Sequence, residues 1–160
     1  MDNLNMREQP IESDIASVAS ILRRSGFFNE EEQEVGVSLV RERLQYGEKS
    51  LYFFQFAQRQ EEVVGYTCFG PIPGTLNSYD LYWIAVDPAY QKQGIGSVLL
   101  DGTEEEIRKR GGKRIYIETS SSELYVPTRR FYTSHGYALE ASLEHYYAPG
   151  DDKLIYVKGW

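Results

Sequence analysis

Between Tyr79 and Ser120 the chain reads as strand, glycine-bearing loop, helix and strand, and this order constrains the fold more than any other feature. Tyr79 to Val86 is rich in aromatic and β-branched residues and stops at Asp87-Pro88. The loop Gln91-Lys92-Gln93-Gly94-Ile95-Gly96 follows. A helix is predicted from Ile95 to Arg110, with Ile95, Val98, Leu99, Gly102, Thr103 and Ile107 recurring at spacings of three and four on one packed stripe. Gly111 and Gly112 stop that helix, and Lys113 to Ser120 alternates, with Ile115, Ile117 and Thr119 on one face and Tyr116 and Glu118 on the other. Parallel strands need a crossover connection of about a dozen residues, which this helix supplies, so the two strands are expected to run parallel. A glycine inside a helix costs about 1 kcal/mol relative to alanine, so Gly102 on the stripe predicts a close approach to a strand. Glu104 with Arg108, Glu105 with Lys109 and Glu106 with Arg110 are i,i+4 pairs in the favourable direction and read as structural.

Helical and extended segments continue on both sides. Ser13 or Asp14 can cap a helix whose inner face is Ile15, Val18, Ile21 and Leu22 and whose end is near Gly26. Asn29 can cap a second helix that opens on Glu30, Glu31 and Glu32 and continues through Val35, Leu39, Val40 and Leu44. Leu51 to Gln58 and Val63 to Phe69, joined by polar Arg59 to Glu62, predict a hairpin, and Pro71, Pro73 and Gly74 break the pattern after it. Thr128 to His135 reads as a short helix ended by Gly136. Tyr137 to Leu143 and Leu154 to Lys158 read as strands around the turn Pro149-Gly150-Asp151-Asp152. No repeat or low-complexity linker interrupts the sequence, so residues 1–160 are expected to form one α/β domain.

Composition narrows the function. With 17 basic against 24 acidic residues the formal net charge is −7, which repels phosphate backbones and argues against nucleic acid as a partner. A lone cysteine, Cys68, excludes a disulfide framework and a zinc ribbon, suits a reducing compartment, and reads as a small buried hydrophobe. Met1 to Pro10 carries no signal-peptide core, and no apolar run reaches the ~18 residues of a membrane span. A cytoplasmic protein without membrane contact is therefore expected. Neither His135 nor His145 has a second ligand at metal spacing, so both read as structural and no metal is expected.

The loop at Gln91 to Gly96 carries the chemistry. Its glycines let the backbone turn tightly so that amide N–H groups converge at the start of the helix, an arrangement suited to phosphate. No Gly-Lys-Ser/Thr ends it, as a Walker loop requires, and the third glycine of a dinucleotide fingerprint is replaced by Leu99. With the strand before it and the helix after it, Gln91, Gly94 and Gly96 resemble the acetyl-CoA motif Gln/Arg-x-x-Gly-x-Gly/Ala of the GNAT acyltransferase superfamily, and Ile84-Ala85-Val86-Asp87-Pro88 is similar to its lead-in. Downstream, Phe131-Tyr132-Thr133-Ser134-His135-Gly136-Tyr137 resembles the family's Tyr-x-x-x-Gly-Phe segment. Tyr125 and Thr128 stand where the family often has Asn and Ala, and Ser120 to Pro127 is lengthened.

The resemblance implies a mixed, mostly antiparallel central sheet with a splayed parallel pair, flanked by helices, and transfer of an acetyl group from acetyl-CoA to a primary amine of a small molecule or peptide. The cofactor-binding residues it implies are Ile84, Ala85 and Val86 on the strand, Gln91, Lys92, Gln93, Gly94, Ile95, Gly96 and Ser97 in the loop, and Thr119 on the following strand. The Val86 N–H is the implied oxyanion donor. Tyr132 takes the place of the catalytic tyrosine and would protonate the leaving thiolate, while its bland reading is a core aromatic beside Phe131. Glu118 is the candidate base, with pairing to Arg114 or another cation as the competing reading, and Asp80 is the second candidate. Tyr125, Tyr146 and Tyr147 are candidates to line the acceptor site. A non-catalytic acyl-CoA sensor of the same fold is the rival reading, a nucleotide-binding regulatory domain is the third, and a homodimer is left open.

Overall fold

The computed structural model describes residues 3–160. Contacts divide them into two compact units, the first running to Gly70 and resuming over Leu81–Lys109, the second comprising Pro71–Asp80 and Arg110–Trp160.

The first unit holds β1 (Leu4–Arg7), α1 (Asp14–Ser25), α2 (Glu30–Tyr46), β2 (Phe53–Arg59), nearly all of β3 (Glu62–Pro71), most of β4 (Ser78–Val86) and α3 (Ile95–Lys109). Strands β1, β2, β3 and β4 lie in that order, with β1 and β3 antiparallel to β2 and a bulge after Ala57. Phe54, Phe56 and Tyr66 stack at 5.4 and 6.2 Å between ring centroids in the main core with Val18, Ile21 and Leu22 of α1 and Leu39 and Val40 of α2. Each fully buried side chain of this kind contributes about 1.5–3 kcal/mol. A second cluster joins Ala57 and Val64 to Ile95 and Leu99 of α3.

Local chemistry explains the helix starts. Asn29 and Glu32 form a capping box at α2, the Asn29 side chain accepting from Glu32 N at 2.8 Å and the Glu32 carboxylate accepting from Asn29 N at 3.2 Å. At α1 neither expected residue caps in that way. Ser13 makes no side-chain cap, and the buried Asp14 carboxylate instead accepts Ile11 N at 2.7 Å and pairs with the Arg7 guanidinium at 2.7 Å. The buried stripe of α3 is Ile95, Leu99, Leu100, Thr103, Glu104 and Ile107, so Val98 is exposed where the sequence placed it inward. Val35 of α2 is likewise exposed, and Gly36 is buried in its stead against Leu22. Gly102 does approach a strand: a Cβ there would lie 3.1 Å from Oε1 of Gln55 on β2. Of the three α3 ion pairs, Glu105–Lys109 stands at 3.7 Å.

The second unit contains β5 (Arg114–Ser120), α4 (Val126–Ser134), β6 (Ala138–Ala148) and β7 (Asp151–Gly159), with β7 antiparallel to β5 on one side and to β6 on the other. The opening residues of β4 also belong here. Lys113 N–H donates to Asn77 O at 2.8 Å just ahead of β5 and β4, so both strands set out from one end, as a parallel pair does. Among the described residues seven strands, mostly antiparallel with one parallel pair, and four α-helices make up the expected mixed α/β class. Among the described residues no helix is long and apolar enough to cross a membrane.

Candidate active site

In the first unit, β4 delivers the chain to the glycine loop through a fixed turn. The Asp87 carboxylate is buried, accepts Ala89 N at 2.9 Å and Nη1 of Arg24 on α1 at 2.7 Å, while Asp87 N donates to Val64 O at 2.8 Å. Pro88–Tyr90 makes one turn of 3₁₀ helix, after which Gln91 is extended, Lys92 has φ +63° and Gly94 φ +79°. The left-handed positions are thus Lys92 and Gly94. Gly96, expected from its spacing to help turn the loop, lies inside α3. Holding a non-glycine residue such as Lys92 in that region costs about 1–2 kcal/mol. The Val98 N–H bonds Gly94 O at 3.2 Å, so the amides of Ile95, Gly96 and Ser97 are those that an α-helix cannot satisfy from its own preceding turn. Gln91 to Gly94 are exposed and Ile95 is buried as the anchor. Ile84 and Val86 pack on the Ala57–Val64–Ile95–Leu99 cluster and Ala85 is buried, so this end of β4 spends its side chains on the core.

In the second unit three charged groups face one another across β4, β5 and β7. The Glu118 carboxylate accepts from Lys153 Nζ at 2.9 Å, a diagonal pair in a register that sets Glu118 against Ile155 and Ser120 against Lys153. Lys153 is only 12% exposed and its Nζ also lies 4.3 Å from the Tyr146 ring centroid. Burial opposes the Lys153 charge, but the hydrogen bond and charge of Glu118, with Tyr146, outweigh it and hold its pKa above the ordinary lysine value. Asp80 is half-buried. Burial first, then repulsion from Glu118, lift its carboxyl from the usual range to about 6, partly offset by Lys153. The competing reading of Glu118, pairing with a cation, is realised, and the cation is Lys153 of β7 and not Arg114. Lys153 is hidden in the sequence because the periodicity there places the start of the last strand at Leu154, whereas β7 begins three residues earlier, at Asp151. Carrying the alternation back one hairpin step would have placed Lys153 on the Glu118 face.

Tyr132 of α4 is 5% exposed among Phe131, Tyr137 and Tyr156, whose ring centroids are 5.8, 6.1 and 6.4 Å away. Burial, helped by Tyr125, raises its phenol well above the ordinary value, so it is protonated at neutral pH. Thr119 is 6% exposed, and its hydroxyl has no hydrogen-bond partner among the described residues. Arg129 bridges the carbonyls of Ser120 and Ser122 at 2.8 Å each and so ties down the start of the lengthened segment. Tyr146 and Tyr147 stand edge to face at 5.0 Å, both about half exposed. His145 accepts Gly150 N on Nδ1 at 2.9 Å, His135 Nδ1 lies 2.7 Å from Phe131 O, and burial pushes the Cys68 thiol up.

The model of the acetyltransferase (GNAT) family matches residues 15–137. A ribosomal protein bS18-alanine N-acetyltransferase of Escherichia coli is 36% identical over 77 residues, 48% of this chain and 50% of that protein, so the chain spans about half the length of the curated relatives it matches. A GNAT-family crystal structure from Desulfovibrio desulfuricans is 41% identical and superposes with a TM-score of 0.97 over 98% of this chain and 99% of that one. An aminoglycoside 6'-N-acetyltransferase complexed with coenzyme A shares the fold at 20% identity, with a TM-score of 0.79 over 98% of this chain and 96% of that chain.

Proposed function

The chain belongs to the acetyltransferase (GNAT) family, and on that premise we propose that residues 1–160 act as one catalytic domain. It transfers the acetyl group of acetyl-CoA to a primary amine of a small molecule or peptide by direct attack on the thioester. The observation that carries this reading is the strand-to-helix loop, where Lys92 and Gly94 hold left-handed turns in the exposed segment Gln91–Gly94 directly ahead of α3, whose first amides have no carbonyl of a preceding helical turn to bond.

The acetyl-CoA pyrophosphate rests on the amides from Gln91 through Ser97 at the positive end of α3, and Lys92 adds a charge. Each dipole contact contributes about 0.3–1 kcal/mol, so the site depends on several aligned donors. The pantetheine amides pair with backbone groups at Ile84, Ala85 and Val86, whose side chains are engaged in the core, and the Thr119 hydroxyl supplies a hydrogen bond that no described residue takes up. Asp80 and Glu118 draw the acceptor ammonium and provide for its proton, the Val86 N–H stabilises charge developing on the thioester oxygen, and the Tyr132 phenol protonates the leaving sulfur. The single free thiol, buried at Cys68, suits the reducing cytoplasm.

Calorimetric titration with acetyl-CoA and with free CoA, and ATP as control, tests the loop. Binding of both CoA ligands in the micromolar range without ATP binding, followed by thiol release when an amine is added, is the expected outcome. No heat and no thermal shift at millimolar CoA would remove the assignment. Binding without thiol release across amine classes would leave the sensor reading in its place.

A further inference from the structure

Two carboxylates, Asp80 and Glu118, contend for one proton, and their surroundings differ. Glu118 has an ammonium at 2.9 Å, and that ammonium is held from its other side by the Tyr146 ring at 4.3 Å. Such a cation, 12% exposed and gripped by a carboxylate and an aromatic face, is a fixed part of the protein. Asp80 is half-buried, with Glu118 and Lys153 both close enough to act on its charge.

We propose that Lys153 is a positioning residue for acetyl transfer: its ammonium, clamped between Glu118 and Tyr146, occupies Glu118 and leaves Asp80 as the carboxylate that takes the acceptor's proton. This rests on the acetyl-transfer reading. The proton inventory closes without any further reagent. Asp80 accepts a proton from the acceptor ammonium. The freed nitrogen lone pair forms the C–N bond as the C–S bond breaks, and the sulfur takes a proton from the Tyr132 phenol. The nitrogen, now carrying one proton too many, returns it to the Tyr132 oxygen, and Asp80 releases its own to solvent, so one proton leaves per turnover.

Glu118 is already engaged: its carboxylate accepts from the Lys153 ammonium at 2.9 Å, and taking the acceptor's proton would break that charge-assisted bond. Asp80 has the opposite setting, with its carboxyl lifted to about 6 by burial and by Glu118, a value from which a carboxylate both accepts a proton near neutrality and gives it back. The charged groups that act on Asp80 are Glu118 and Lys153. Glu118 lies on β5 and Lys153 on β7, while Tyr146 and Tyr147 of β6 face Lys153, and Asp151 acts on Tyr147.

The test follows the titration of Asp80 by carbon-13 carboxyl NMR in the full chain, together with the pH profile of kcat/KM. The probes are an alanine-terminated tetrapeptide and an aminoglycoside, each with acetyl-CoA. Wild type should show an Asp80 titration near 6 and an acid limb at the same pH. Lys153→Met should move both upward by roughly 1 unit, Glu118→Gln should move both downward by a similar amount, and Lys153→Arg should restore the wild-type values. Asp80→Asn should lower kcat about 10²–10⁴-fold at every pH. The inference is overturned if Lys153→Met folds and leaves the Asp80 titration where it was, or if Glu118→Gln loses turnover as deeply as Asp80→Asn. The NMR arm reads without turnover, so a failure of acetyl transfer itself, seen as no thiol release from wild type with either probe, is distinguished from a failure of the Asp80–Glu118–Lys153 arrangement.

Discussion

Asp80, the carboxylate proposed to take the acceptor's proton, weakens the fold that holds it. Its carboxyl is raised from 3.8 to about 6 in the folded protein, so between those values the folded state binds the proton more tightly than the unfolded state does. The penalty for the charged form is complete above pH ~6 and vanishes below pH ~4, which makes this contribution fall as pH rises through that window. About two units would correspond to roughly 3 kcal/mol, but the side chain is only half-buried and screening reduces this to about 1 kcal/mol. Asp80→Asn should therefore raise Tm by about 2–4 °C at pH 7–8, with the gain disappearing below pH 4, while turnover is lost; a calorimetric melt at two pH values checks it. Tyr132→Phe should separate differently, lowering kcat about 10²–10⁴-fold with CoA affinity intact, as measured by stopped thiol assays beside calorimetry. The matched residues Gln91, Gly94 and Tyr132 were legible in the sequence because each sits at a fixed spacing from its neighbours in the chain. Lys153 was not, since its meaning lies in Glu118, 35 residues away on another strand.

At the scale of elements, α1, α2, α3 and β2 to β5 emerge within one or two residues of where periodicity and capping residues put them. β1 escaped notice because four residues with a half-exposed, polar alternation look like a tail until Leu4 to Arg7 is set against Arg59 to Phe56. β6 is longer than the sequence suggested for a related reason. Bulges after Leu139 and Leu143 and the left-handed His145 interrupt the period of two, so the alternation fades although the strand reaches Ala148. The contact between α1 and the end of β4 was equally hidden, yet it bears on the loop. Arg24 Nη1 donates to a carboxylate of Asp87 that also caps the turn ahead of Gln91. Arg24→Ala leaves that buried carboxylate without its charged partner, which should cost about 1–3 kcal/mol and raise the Kd for CoA about tenfold with kcat at saturation little changed. Arg24→Lys should recover most of the affinity. Equal losses in both variants, or a loss of kcat alone, would show that the pair serves stability without fixing the loop.

For the molecule as a whole, the net charge of −7 must be reconciled with a polyanionic donor. At distances beyond the Debye length of ~8–10 Å at physiological salt, the donor meets a field whose sign is repulsive. At the proposed site, only at contact do the amides at the start of α3 act on it, and these are fixed dipoles whose effect fades within the first turn. Encounter and retention are therefore governed by opposite electrostatics. Raising ionic strength from 10 to 150 mM should speed CoA association, by roughly two- to fivefold, because salt weakens the long-range repulsion, while dissociation, controlled by hydrogen bonds at the loop, should change little. A cationic acceptor approaching Asp80 and Glu118 should show the reverse dependence, associating more slowly as salt rises. Stopped-flow binding of each partner over that salt range reads both slopes. If CoA association slowed with salt, the local field of Lys92 would extend further than the chain's net charge, and the loop would attract its ligand as well as hold it.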